Sequence, residues 1–364
     1  MPFNFEFRKQ TGNEHFSQRN SMSEGIDGML HDSFFCYPSI NNSCHKQAHP
    51  FYARLFIYTA LSMAIIVTVC GNFLVIIAIS HFKELHTPTN YLILSLAVVD
   101  LLLGGVVMPP VMVSAAENCW YFGELFCKIR HSSAIMLCTA SIIHLSIISI
   151  DRYYAVCHPL TYKTKITVSF TVNIICISWI LSAVLGFGIV FLELNLKGIG
   201  ELNNNCAGSC ILVQNEGSGL LSSILSFYIP GIIMICIYVK IFSVAKRQAR
   251  SIRAMAARCQ TYEEKRNATT RKRETKAAKT LAIVLGVFLF CWSPFFLCNI
   301  IDPIIQHKTP TFLIEMITWF GCLNSTFNPL VYGFFYSWFR KALKMIVSGN
   351  IFQSDSSRLQ LFSD

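Results

Sequence analysis

Charge is scarce in this chain. Of its 364 residues only 14% are Asp, Glu, Lys or Arg, whereas 53% are hydrophobic. Soluble domains carry about 25% charged residues, so a soluble fold of this length lacks the surface to stay dissolved. Disorder needs low hydrophobicity with high charge and is excluded as well. The first 50 residues lack an apolar core of signal-peptide type, and Met22 and Met29 stand as alternative starts. No ten-residue alternation of the kind that builds a membrane barrel occurs. Zinc-spaced His/Cys sets, nucleophile–base motifs and phosphate loops are all missing, which leaves no enzyme constellation. No internal repeat is visible, and repeats are what a transporter would favour.

Long apolar runs are what the chain has. A spanning helix needs about 20 mostly apolar residues. Seven runs qualify: Leu55–Ser80, Tyr91–Ala116, His131–Ile150, Ile166–Leu192, Gly217–Val239, Thr280–Ile301 and Met316–Phe339. Only the second holds a charge, Asp100. Lipid tolerates helices or closed barrels, so the expected fold is an all-α membrane protein, a seven-transmembrane helix bundle. A short amphipathic eighth helix over Phe335–Val347 follows it. The chain divides into a tail over 1–51, the bundle with its amphipathic helix over 52–347, and a second tail over 348–364.

The basic residues orient this bundle. The side holding Arg152, the loop after the fifth run and the C-terminal tail carries 21 Lys and Arg; the other side, with residues 1–54, carries 9. The expected location is therefore the plasma membrane, multi-pass, with the N-terminus outside. Residues 246–279 hold 12 basic and 3 acidic residues, nearly the whole net charge of +10. That basicity is local to the inner face and fits anionic membrane lipid or a cytoplasmic partner, with no nucleic acid implied. Asn41-Asn42-Ser43 is a glycosylation sequon on the outer side, whereas Asn267-Ala268-Thr269 lies inside and is expected to stay bare. Six of the 15 cysteines fall outside the membrane on the outer side: Cys36, Cys44, Cys119, Cys127, Cys206 and Cys210. An even number in an oxidising compartment indicates bridges, with connectivity left open.

Asp100 is the one carboxylate deep in a run, and an intramembrane acid is a functional hypothesis by default. Asn72, Ser141, Asn324, Ser325 and Asn328 are candidates to surround it. A hydrated cation such as Na+, or a polar clamp between helices, would satisfy it; no other cofactor is called for. Prolines interrupt four runs at Pro109-Pro110, Pro230, Pro294 and Pro329, where each removes a helical hydrogen bond and favours a bend.

The motifs occur in a fixed order. Gly71-Asn72 is followed by Leu96-Ala97-Val98-Val99-Asp100, then by Asp151-Arg152-Tyr153 at an inner helix end, and by Trp179. Pro230 and Tyr238, Phe288 to Pro294 with Cys291-Trp292-Ser293, and Asn328-Pro329-Leu330-Val331-Tyr332 complete the series. This order resembles the rhodopsin-like (class A) G-protein-coupled receptors over about residues 50–350. Glu117-Asn118-Cys119-Trp120-Tyr121-Phe122-Gly123, Met136 to Ser141, Ile148 to Cys157 and Asn324 to Pro329 are similar to the trace amine-associated receptors.

The resemblance implies a receptor for a small-molecule ligand, an amine or something atypical, in a family most of whose members are olfactory and whose output is a heterotrimeric G protein of the stimulatory or olfactory class. It implies a bridge between Cys127 and Cys210. Two more would tie Cys36 and Cys44 to Cys206 and Cys119, with Cys36–Cys206 the favoured pairing. Arg152, beside Asp151, would hold the sixth helix through Glu274 as a two-state latch. Trp292 would be a packing switch, and Tyr238 and Tyr332 would reorganise with Asn328 and Pro329 when the sixth helix moves.

The ligand site departs from the pattern. Amine-binding relatives carry an aspartate seven residues after the third-helix cysteine, and that position here is Ala134. The tyrosine that supports the aspartate is replaced by Cys322, and Ser222 and Ser223 occupy the fifth-helix region where some fish relatives place a carboxylate. The remaining cavity is expected to be lined by Ala134, Ile135, Cys138, Thr139, Ser222, Ser223, Ser226, Trp292, Phe295, Phe296, Asn299, Thr318, Trp319 and Cys322. A buried ammonium without a counter-ion is costly, so the alternative is a receptor for a neutral or non-amine ligand. Retinal is excluded because Met316–Phe339 contains no lysine for a Schiff base.

Overall fold

The computed structural model describes residues 35–46, 49–195, 206–212, 214–256, 262–353, 356–358 and 361, without side chains at 160, 163, 249, 251–256 and 262–273. Seven long helices form the bundle: α1 Phe51–His81, α2 Pro88–Glu117, α3 Gly123–Cys157, α4 Val168–Phe191, α5 from Glu216 to Ala256, α6 Tyr262–Ile304 and α7 Thr311–Phe335; α8, Ser337–Val347, follows. Six are long and apolar enough to cross a membrane. The seventh, α7, dilutes its apolar face with Asn324, Ser325, Thr326 and Asn328, and all four are buried inside the bundle.

Helix ends follow local chemistry. Thr87, Thr167 and Asn215 cap α2, α4 and α5 by accepting the N–H of the residue three further on, as side-chain oxygens at such ends do. The prolines act differently from one another. Before Pro109-Pro110 and Pro230 the helices widen into π turns, Leu103–Val107 in α2 and Ile224–Tyr228 in α5. These turns absorb the clash of each proline ring with the preceding turn. Pro294 and Pro329 sit inside continuous helices.

Isoleucines, phenylalanines and leucines of α1, α4 and α5 that face outward, such as Phe56, Ile180 and Ile232, are exposed. In lipid that is their favoured surface. The interior separates into two apolar clusters. The larger joins α1, α2, α3, α5, α6, α7 and α8 around Phe82, Leu92, Ile148, Phe288 and Tyr332. The smaller lies further out around Val107, Met108, Leu137, Trp319 and Cys322, with Ala134 packed against it.

A disulfide-bound cap covers the outer ends. Residues 35–45 fold on themselves through a Phe35–His45 bridge and dock on the second outer loop by a Ser43–Ala207 bridge. Cys36 pairs with Cys119, Cys44 with Cys206 and Cys127 with Cys210. This corrects the expected Cys36–Cys206 pairing. Cys44 N–H donates to Ala207 O and Ala207 N–H to Asn42 O, which seats Cys44 beside Cys206. Cys36 lies instead over Gly208, whose φ of +101° and missing Cβ leave room for the Cys36 side chain. Asn41 is exposed. Ser43, two residues on, is buried, and its Oγ accepts the Tyr37 N–H at 2.7 Å.

Candidate functional site

Three layers of polar and aromatic residues run from the inner to the outer face. The innermost centres on Arg152, at the end of α3. Its Nη1 donates to Glu274 Oε2 at 2.7 Å, while Nε and Nη2 donate to Asp151 Oδ2 at 2.9 and 2.7 Å. Thr89 of α2 meets both Arg152 and Asp151. Tyr162, on the short inner helix Pro159–Lys165, donates to Asp151 Oδ1 at 2.9 Å. Burial and the Asp151 charge push the Tyr162 phenol up to about 12, so it stays a donor. Arg152 and Asp151 are buried, whereas the Glu274 side chain is about one-third exposed (34%). The α3–α6 contact therefore has one wet partner and is the weak member of the network.

The middle layer holds Asp100. Ser325 Oγ donates to its Oδ1 at 2.6 Å and Asn328 Nδ2 to its Oδ2 at 2.8 Å. Asn72 of α1 donates to Ser325 O at 3.0 Å and so steadies the same turn of α7. Ser141 and Asn324 are buried but make no hydrogen bond to Asp100. Ser141 Oγ and the amide oxygens of Asn324 and Asn328 accept no hydrogen bond from any described residue. Around Asp100 itself the structure shows the Ser325 hydroxyl and the Asn328 amide.

Above it lies an aromatic stack. Phe227 of α5 stacks on Phe296 at 4.5 Å, Phe296 meets Trp292 at 6.2 Å, and Phe295 stands edge-on to Trp292 at 5.5 Å. Gly321 of α7 faces the indole so closely that a Cβ would lie 2.8 Å from it. Cys138 packs against this cluster from α3. Tyr238 and Tyr332 are buried below, and the Tyr332 hydroxyl has no partner among the described residues.

The residues expected to line the ligand cavity separate. Trp292, Phe295, Phe296 and Cys138 join the stack, while Ala134, Trp319 and Cys322 share the outer apolar cluster. Ser222 Oγ donates to Gly219 O at 3.2 Å, and Ser223 is buried with no partner for its hydroxyl among the described residues. Thr318 spends its hydroxyl on Ile314 O. Ile135, Thr139, Ser226 and Asn299 are half-buried. A cavity of about 580 Å³ opens further out, beneath the cap, between Lys128 and His131 of α3, Glu193, and residues 206–212.

Sequence reasoning passed over several residues here. Phe227 and Gly321 complete the stack, and the only hint of the first was its place three residues before Pro230. Ser95 Oγ links His144 Nε2 at 2.8 Å to Trp179 Nε1 at 2.9 Å, tying α2, α3 and α4 together. Arg130 and Glu315, two charges to which sequence reasoning assigned no role, reach into the outer bundle: Arg130 Nη2 contacts His131 and donates to Cys210 O at 3.3 Å, and Glu315 accepts from Ser114 Oγ at 3.2 Å.

Comparison with known proteins agrees with this arrangement. Residues 71–332 match the 7 transmembrane receptor (rhodopsin family). The chain is 54% identical over 331 residues to trace amine-associated receptor 1 of Macaca mulatta, covering 90% of this chain and 98% of that one. It is 49% identical to trace amine-associated receptor 4 of Rattus norvegicus, with 90% and 95% covered. It is 44% identical to trace amine-associated receptor 13c of Danio rerio, with 91% and 97% covered. The chain belongs to the rhodopsin-like G-protein-coupled receptors, of the trace amine-associated type, and is a multi-pass receptor of the plasma membrane rather than an enzyme.

Proposed function

We propose that this receptor is chemosensory, and that a small molecule entering from outside activates a heterotrimeric G protein of the stimulatory or olfactory class. The observation that carries the reading is the Arg152–Glu274 contact at 2.7 Å between α3 and α6. Among the described residues it is the one ion pair between α3 and α6, and one member of it is wet, so it is the element a ligand-driven movement of α6 would break.

The aromatic stack connects the two ends. A ligand seated above Trp292 presses on a ring that Gly321 backs without slack. The indole then moves together with α6, which carries Pro294 two residues further on. Outward motion of the inner half of α6 withdraws Glu274 and exposes Arg152 to the G protein. Asp100, with the unpaired oxygens of Ser141, Asn324 and Asn328, holds Na+ in the resting state. A carboxylate neutralised in this way lets α2 and α7 stay packed. The N-terminus faces outward with a glycan on Asn41, and the basic charge of residues 246–279, of which 257–261 lie outside the described residues, suits anionic lipid.

Ala134 sets the ligand apart from simple amines. Together with Trp319 and Cys322 it makes an apolar surface where amine-binding relatives hold a carboxylate. Cation–π contact is worth about 1–2 kcal/mol and does not replace a dry ion pair.

A cAMP assay in cells expressing the receptor tests the coupling. Glu274→Ala is expected to raise basal cAMP at equal surface expression, because it frees Arg152. Unchanged basal cAMP would count against the latch.

A further inference from the structure

We propose that the ligand is a small apolar amino acid, whose carboxylate binds Arg130 and whose ammonium binds Glu315. This deepens the receptor reading above and rests on its placing the ligand in the outer half of the bundle.

Most acidic and basic groups that reach other side chains at the outer end of the bundle are neutralised. Glu117 is bound by Lys46 and Arg54, and Glu193 by Lys128. Arg130 and Glu315 are the exceptions: neither has an opposite charge within 4.0 Å among the described residues. Arg130 lies over the Trp120 ring at 5.4 Å, and its Nε is buried without a hydrogen-bond partner. Its other contacts are with His131 and with the carbonyl and sulfur of Cys210. None of these neutralises a guanidinium. Glu315 has, among the described residues, only the Ser114 hydroxyl.

The two charges stand on helix faces that look toward each other. Ala134 of α3 and Trp319 and Cys322 of α7 belong to the same apolar cluster, so those helix faces look at each other. Arg130 precedes Ala134 by four residues and Glu315 precedes Trp319 by four, which keeps each on the same face about 6 Å further out. Among the described residues no ion pair joins the two. A simple amine would satisfy Glu315 and leave Arg130 orphaned beside it. A simple acid would do the reverse. One molecule carrying both groups neutralises both, and charge-assisted contacts of this kind are the strong ones. Its side chain then points inward to Ala134, Trp319 and Cys322, which offer only apolar surface.

The test uses two matched sets of probes: leucine, isopentylamine and 4-methylpentanoate; and phenylalanine, 2-phenylethylamine and 3-phenylpropanoate. Binding is read as a dose-dependent rise in the unfolding temperature of the purified full-length receptor, which needs no G protein. Leucine or phenylalanine is expected to act at a concentration at least about ten-fold below its amine and its acid. Arg130→Gln should reduce the amino acid to the potency of the amine, and Glu315→Gln to that of the acid. If Arg130→Gln fails to reach the surface, Glu315→Gln decides alone. The proposal is overturned if the amine or the acid matches the amino acid on the unmodified receptor, if neither amino acid binds, or if a surface-expressed variant leaves its potency unchanged. Raised basal cAMP in Glu274→Ala with no amino-acid binding would reject the ligand class and leave the coupling standing.

Discussion

At the scale of single residues, the outer pocket is decided by side chains that were exchanged rather than added. Ala134 and Cys322 belong to one apolar cluster; on the reading proposed above, they stand where amine-binding relatives hold a carboxylate and the hydroxyl that orients it. Restoring both should create an amine response: Ala134→Asp with Cys322→Tyr is expected to make 2-phenylethylamine a good agonist, by roughly a few hundred-fold in potency if the new contact is a dry ion pair. Arg130 complicates the single change, since a carboxylate at 134 lies one turn away on its own helix face and would pair with it. Adding Arg130→Gln should therefore strengthen the amine response further, and concentration–response curves at matched surface expression check the order. Gly321 offers a second residue-scale prediction. Alanine there would suit helix propensity but would place its Cβ 2.8 Å from the Trp292 ring. Gly321→Ala should lower stability by about 1–3 kcal/mol, the usual range for overpacking, seen as a reduced unfolding temperature of the purified receptor.

At the scale of elements, the six runs without charge and the one with Asp100 were legible because lipid imposes a composition that water does not. Each run falls within one of the seven long helices, apart from small differences at the ends. The last predicted run reached Phe339, whereas α7 stops at Phe335 and Tyr336 breaks to an extended conformation before α8. Less could be read where contacts join distant segments. No periodicity says that Cys36 lies over Gly208 or that Cys44 sits beside Cys206, because backbone hydrogen bonds between two irregular loops decide it. The depth of Arg130 was equally hidden, for a base at a helix end reads as a rim charge until the bundle closes around it. The bridges give an element-scale prediction. Cys127→Ala or Cys210→Ala should abolish surface expression or ligand response, since closing a loop of this separation contributes about 4 kcal/mol in the chain-entropy model. Cys36→Ser and Cys119→Ser should each destabilise the cap, and the double variant should be no worse than either single one. Additive losses would overturn the pairing seen here.

At the scale of the whole molecule, the polar residues form a column from Arg130 and Glu315 through Trp292 and Asp100 to Arg152, while the lipid-facing side is apolar. Such a column lets a change at one end bias packing at the other without any helix leaving the bundle. The orientation it implies is checked with epitope tags at residue 20 and at the C-terminus. The first should be reached by antibody on intact cells and the second only after permeabilisation. Reversed accessibility would invert every functional assignment made for the two faces.

The buried hydroxyl of Ser43 sets a chronology. A sequon is read by the sugar-transferring enzyme through both its asparagine and its serine, and in the finished cap the serine is committed to the Tyr37 amide. If Asn41 carries the glycan proposed above, its addition and closure of the cap over Ala207 compete for the same few residues during biosynthesis, and the sugar has to come first. A molecule whose Cys44–Cys206 bridge forms early would leave the endoplasmic reticulum with a bare asparagine, so the ratio of glycosylated to bare receptor on a gel becomes a clock for how fast the outer cap closes.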